Sequence, residues 1–212
     1  MRGENRTKKC GIILKLNQTN MTDQQLQVKQ WMTSFGQETP EKPTIPSLEV
    51  RKLRAKLILE EALETVNALG LKYAHMFGTW EEHPETLNLL EIADGCEDLK
   101  VVTEGTLIAC GLANKNTVSE RQGYDPLFDE VMRSNNSKMW TEEEVRLLFN
   151  ATGMLDAASI AQLEDSRYPG WTIIRVTDSD RCFLVKDTNG KVIKSPSYSP
   201  ANLQPIIDEM SK

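Results

Sequence analysis

The stretch from Val50 to Leu71, VRKLRAKLILEEALETVNALGL, constrains the chain most. Up to Gly70 it lacks Pro and Gly and is rich in Leu, Ala, Lys, Glu and Arg, which predicts one long helix. Glu60, Glu61 and Glu64 sit inside it. At ~100° per residue, these carboxylates share an arc of roughly 100°. Glu60 with Glu64 is an i,i+4 pair and Glu61 with Glu64 an i,i+3 pair, so like charges face each other. The next turn, Thr65 to Leu69, carries no basic residue. Leu53 and Leu57 lie on the same side and Leu63 borders it, so the acids are set in an apolar surface. Such a cluster needs a cation or shared protons. The competing interpretation is a solvated charged face on which Lys56 pairs with Glu60.

A second acidic stripe bears on that choice. The run PETLNLLEIADGCEDLKVVTEGTLIACGL predicts another long helix, with Pro84 near its start. Glu91, Asp94 and Asp98 fall at i, i+3 and i+7, in one narrow stripe. Followed onward, the stripe becomes Val102, Gly105 and Ala109, a surface suited to another helix rather than to water. Two helices that each turn several carboxylates inward make a poor hydrophobic core. They make a good Mg²⁺ or Mn²⁺ site, because hard cations take carboxylate oxygens.

Composition narrows the class. A chain of 212 residues with 39% hydrophobic and 26% charged residues fits a soluble globular protein. No apolar run approaches the ~18 residues of a membrane span. The net charge of −6 and a pI near 5.1 argue against a nucleic-acid surface. Cys10, Cys96, Cys110 and Cys182 form no C-x-x-C and are expected as reduced thiols in the cytoplasm. His75 and His83 are the only histidines, too little material for a zinc site or a His-based triad.

Taken in order, residues 1–21 are expected as a disordered tail. A helix over Thr22–Phe35 ends at Gly36, and a connector with Pro40, Pro43 and Pro46 leads to Ser47, a candidate N-cap. Lys72–His83 is a connection of uncertain structure. After Gly111 and a polar loop comes a short helix with Phe128, Val131 and Met132 on its apolar face. Arg133, Asn135, Asn136, Ser137 and Lys138 crowd its end, either as a polar helix terminus or as a phosphate clamp. Thr141 and Glu144 form a capping box for a helix over 142–150. A β-meander follows over 171–176, 181–187 and 191–195, with a type I′ turn signal at Asn189-Gly190. The domains expected are an all-α core over 22–140 and an extension over 141–212.

Several stretches together are similar to a known family. Glu60-Glu61-x-x-Glu64 followed by Glu91-x-x-Asp94 resembles the E-E-x-x-E … E-x-x-D signature of the all-α nucleotide pyrophosphohydrolases. The closer likeness is to the MazG-like, phosphoribosyl-ATP pyrophosphohydrolase-like proteins of bacteria and phages. It is carried by FGQETPEKPTIPSLEVRKLRAKLILEEALE (35–64), EIADGCEDL (91–99), FDEVMRSNNSK (128–138) and GKVIKSPSYSPANL (190–203). The segment Thr141–Lys186 is longer than the link such proteins carry there. The resemblance implies a MazG-like helical bundle with a small C-terminal β-meander. It implies cleavage of a nucleoside triphosphate to monophosphate and pyrophosphate, in a bacterial or phage-infected cytoplasm. Two or three Mg²⁺ or Mn²⁺ ions would be held by Glu60, Glu61, Glu64, Glu91, Asp94 and Asp98. Which of the last three dominates is left open. Glu61 would orient the attacking water, Lys138 and Arg133 would contact phosphate, and Trp31, Phe35 and Gln37 would form the base pocket. Together with the widely apolar central helix, it implies a homodimer or tetramer. The alternatives are a non-catalytic helical protein that binds nucleotide or metal, and a purely structural bundle.

Overall fold

The computed structural model describes residues 21–74, 79–113, 125–149 and 170–212. The expectations for the tail over 1–20 and for Cys10 and His75 lie outside these residues. The chain divides into two compact units, residues 1–124 and 125–210.

The first unit contains α1 (Asp23–Ser34), α2 (Leu48–Ala68), β1 (Leu71–Ala74), β2 (Thr79–Glu82) and α3 (Leu89–Ala109). A capping box opens α1: Gln25 N–H donates to Thr22 Oγ1 (3.1 Å) and Thr22 N–H to Gln25 Oε1 (3.2 Å). Ser47 caps α2 by accepting from Val50 N–H at 3.3 Å. Pro84 starts a 3₁₀ turn, Pro84–Thr86, and α3 begins only after Asn88, whose side chain accepts from Leu90 N–H.

Helices α2 and α3 pack antiparallel through small residues. A Cβ on Gly95 would lie 2.5 Å from Thr65 Oγ1, and one on Gly105 would lie 2.8 Å from Arg54 Nη1. Residue numbers therefore rise along one helix as they fall along the other. The buried cluster sits at one end of the pair: Met21, Met32, Ile108, Ala109 and Ala113, backed by Val28, Val50 and Leu107. Elsewhere the helices leave large side chains in solvent, including Leu53, Leu59, Leu63, Leu89 and Leu90.

Gly95→Ala is expected to cost ~1–3 kcal/mol by overpacking this contact. Thr65 yields poorly, because its hydroxyl donates to Glu61 O at 2.7 Å. Thermal melting should show a fall of ~2–10 °C.

The second unit contains α4 (Pro126–Asn136), β3 (Trp140–Thr141), α5 (Glu142–Phe149), β4 (Thr172–Arg175), β5 (Arg181–Lys186), β6 (Val192–Ile193) and α6 (Gln204–Met210). The capping box at α5 forms as the sequence reads, with Thr141 N–H donating to Glu144 Oε2 at 2.8 Å and Glu144 N–H to Thr141 Oγ1 at 3.1 Å. Strand β5 pairs β4 along one edge; β3 and β6 share the other, all antiparallel. The sheet buries Trp140, Val145, Ile173, Cys182, Phe183 and Val185. The turn at Asn189-Gly190 is one residue longer than a type I′ hairpin. Gly190 N–H closes onto Asp187 O at 2.9 Å, which makes Thr188 and Asn189 the central pair and leaves Gly190 at φ +77°.

The expectation of an all-α core with one C-terminal β-meander is overturned. Among the described residues the fold is mixed: six α-helices and two small antiparallel sheets with six strands. One sheet lies inside the first unit, where β1 and β2 pair Tyr73 with Trp80, their rings 4.9 Å apart. Four-residue strands are too short for a readable alternation. A cross-strand aromatic pair stabilises such a hairpin. The other surprise is β3, two residues that join the sheet ahead of α5.

Candidate metal centre

The antiparallel register brings the two acidic stripes face to face. Arg54, Glu61 and Thr65 recur at i, i+7 and i+11 on the side of α2 that meets α3. Glu61, half-buried, is held above the usual carboxylate range. Burial is the largest cause; the negative charges of Asp98, Glu64, Glu60 and Asp94 follow in that order. Four of the five other expected acids thus act on Glu61. Glu91, one turn nearer the start of α3, is not among the charges acting on Glu61. Lys56 Nζ lies 3.2 Å from Glu60. Among the described residues, Glu61, Glu64, Asp94 and Asp98 have no ion-pair partner.

The donor set suits a hard divalent cation: carboxylate oxygens alone, without imidazole or thiolate. Among the described residues no three His, Cys, Asp or Glu side chains are gathered tightly enough to hold an ion as they stand. All of the acids but Glu61 are solvent-exposed, which leaves their side chains room to turn.

About seven residues nearer the start of α2, Arg54 is 7% exposed. Its Nη2 donates to Gln37 Oε1 at 2.5 Å and approaches Met32 Sδ at 3.7 Å, and among the described residues its Nε has no partner. Burial lowers the guanidinium pKa and also raises the thiol of Cys110 beside it. Trp31 and Phe35 have ring centroids 5.0 Å apart and are both exposed. The three expected base-pocket residues therefore lie together at the end of α1.

Arg133, Asn135, Asn136 and Lys138 belong to the second unit. Arg133 is already engaged. Its Nε and Nη2 bind Glu130 at 2.7 and 2.8 Å, and Nη2 also donates to Pro200 O at 3.0 Å. Those bonds, with Asn202 N–H, bring the Glu130 carboxyl down to about 2. Lys138 Nζ donates to Asn135 Oδ1 at 2.8 Å. Asn136 and Arg133 help line an open cleft of about 560 Å³ with Ser137, Arg181, Ser197 and Ser199. Sequence reasoning missed Arg181 and Lys194. Lys194 lies 4.1 Å over the Tyr198 ring, and Arg181 donates to Met139 O at 2.9 Å and Ser197 Oγ at 2.8 Å. The segment 190–203, carried only as part of the resemblance, was the available signal for Lys194; nothing marked Arg181.

Among the described residues, no helix is long and apolar enough to cross a membrane. No family model matches the chain, and no curated protein matches it.

Proposed function

We propose that the protein is a divalent-cation-dependent nucleoside triphosphate pyrophosphohydrolase, converting (d)NTP to (d)NMP and pyrophosphate. One observation carries this: the α2–α3 register sets Glu61 among Asp98, Glu64, Glu60 and Asp94 without a neutralising side chain for most of them. Bound Mg²⁺ or Mn²⁺, two or three ions, would neutralise the triphosphate and make a coordinated water more acidic. Glu60, Glu61, Glu64, Asp94 and Asp98 would hold the cations, with Glu91 as a further candidate. Glu61 would orient the attacking water and accept its proton on a carboxylate oxygen. A panel of NTPs and dNTPs should release pyrophosphate, not orthophosphate, with Mg²⁺ or Mn²⁺ and none in excess EDTA. Orthophosphate as first product, or turnover that survives EDTA, contradicts the proposal. Cation binding with no turnover on any substrate would make the protein a sensor.

Within the second unit Lys138 is the expected phosphate contact; its Nζ donates to Asn135 Oδ1, while Arg133 is held by Glu130 and Pro200. Lys138→Ala should raise KM ~10-fold while leaving Mn²⁺ affinity unchanged, because charge-assisted bonds contribute ~1.5–3 kcal/mol. Equal losses of both would assign the lysine a folding role.

The exposed leucines of α2 and α3 are best covered by a second copy of the chain, as homodimer or tetramer. Light scattering at micromolar concentration should return a multiple of 24.0 kDa. A monomer at that concentration counts against it.

A further inference from the structure

We infer that Gln37 selects the nucleobase, favouring keto bases over amino bases. This rests on the nucleotide reading above and deepens it.

The argument begins with what arginine can do. A guanidinium has five N–H donors and no acceptor, so the amide atom facing Arg54 must be the oxygen of Gln37. Arg54 is 7% exposed, and its contact with Gln37 Oε1 is 2.5 Å. Gly105, where a Cβ would come within 2.8 Å of Nη1, leaves the guanidinium room on α3. Met32, fully buried, closes another side with its sulfur 3.7 Å from Nη2. The arginine therefore cannot turn away without disturbing the core, and it holds the amide in one orientation.

The end of Gln37 left for a ligand is the NH₂ group, which has no partner among the described residues. It offers two donors. A base that presents a carbonyl oxygen there, O6 of a purine or O4 of a pyrimidine, is accepted. A base that presents an exocyclic amino group meets donor against donor. A glutamine free to use both ends would read adenine through N6 and N7. This one has its acceptor drawn toward a cation.

Two further observations agree on a nucleotide. Trp31 and Phe35, one turn of helix apart and exposed, offer π-faces on which any base can stack. Arg54 and Glu61 lie seven residues apart on one face of α2, ~10 Å along its axis, a span of the same order as that from base to phosphates.

The test is equilibrium dialysis of nucleoside monophosphates without metal, beside kcat/KM for the triphosphates with Mn²⁺. Wild type should prefer guanine, hypoxanthine, thymine and uracil nucleotides over adenine and cytosine nucleotides by ~10-fold or more. Gln37→Glu keeps a bond to Arg54 but presents only acceptors, so the preference should collapse or invert. Gln37→Ala should erase it without inversion, and serves if the glutamate variant fails to fold. A wild type that binds keto and amino nucleotides equally, or binds neither at millimolar concentration, overturns the inference. So does a preference unchanged in both variants. Keto-selective dialysis without pyrophosphate release would leave this inference standing and remove the hydrolase. Pyrophosphate release with no base preference would do the reverse.

Discussion

Glu61→Gln is expected to make the metal-free protein melt higher while lowering pyrophosphate release by ~10²–10⁴-fold, the usual scale of a lost acid–base group. The stability half follows from electrostatics. In the folded chain the Glu61 carboxyl is raised by burial first, then by Asp98, Glu64, Glu60 and Asp94. A carboxyl raised by folding contributes stability only while protonated. That contribution is complete below its unfolded value and is lost as pH rises through its folded one. At pH 7 without metal the native state therefore carries a penalty that an uncharged glutamine of equal size avoids. The relief should be ~1 kcal/mol, or ~2–4 °C. It should vanish well below the ordinary glutamate value of ~4.3, where wild type is protonated in both states. Saturating Mn²⁺ should reverse the order, because the wild-type site gains stability from tighter binding. A variant that melts lower than wild type in EDTA at pH 7 would mean that the carboxylate supports the fold through its own bonds.

Gly111→Ala should be the most destabilising of the glycine substitutions considered. Gly111 has φ +67°, and a Cβ there would fall 2.0 Å from Lys42 O. Both the backbone and the contact oppose a side chain, and the atom in the way is main chain, which cannot swing aside. The same stretch is tied down nearby by Thr44 N–H donating to Cys110 O at 2.9 Å. Losses of ~2–5 kcal/mol are expected, a fall of ~5–15 °C. Gly36→Ala is the control. Its φ is +70°, with nothing within 4 Å of the added Cβ, so it should lose only ~1 kcal/mol. Equal melting of the two variants would show that the proline-rich connector is not held against the end of α3.

These two glycines also show what was legible in advance. Gly36 reads from sequence as a helix stop, because the local signal and the structural reason coincide. Gly111 does not, since its constraint comes from Lys42, far away in sequence. The same division runs through the fold. Helices α1 to α5 are all legible, through apolar spacing, helix-forming runs and the caps at Ser47 and Thr141, although α3 starts at Leu89 rather than near Pro84. The hairpin of β1 and β2 and the two-residue β3 are fixed by cross-strand pairing instead. The acid stripes were legible because helical periodicity placed each on one face. That Asp98, more than Glu91, acts on Glu61 depends on the α2–α3 register, which Gly95 and Gly105 set by close approach. The Arg54–Gln37 contact was invisible for the same reason: a buried arginine on an apparently ordinary charged helix finds its partner only once α1 packs.

The most direct test of the acids around Glu61 as a cation site is calorimetric titration of Mn²⁺ into wild type and Glu61→Gln. Saturable binding of at least two ions per chain is expected, weakened ~10-fold or more in the variant. No saturable binding, or equal affinity in both proteins, would contradict it.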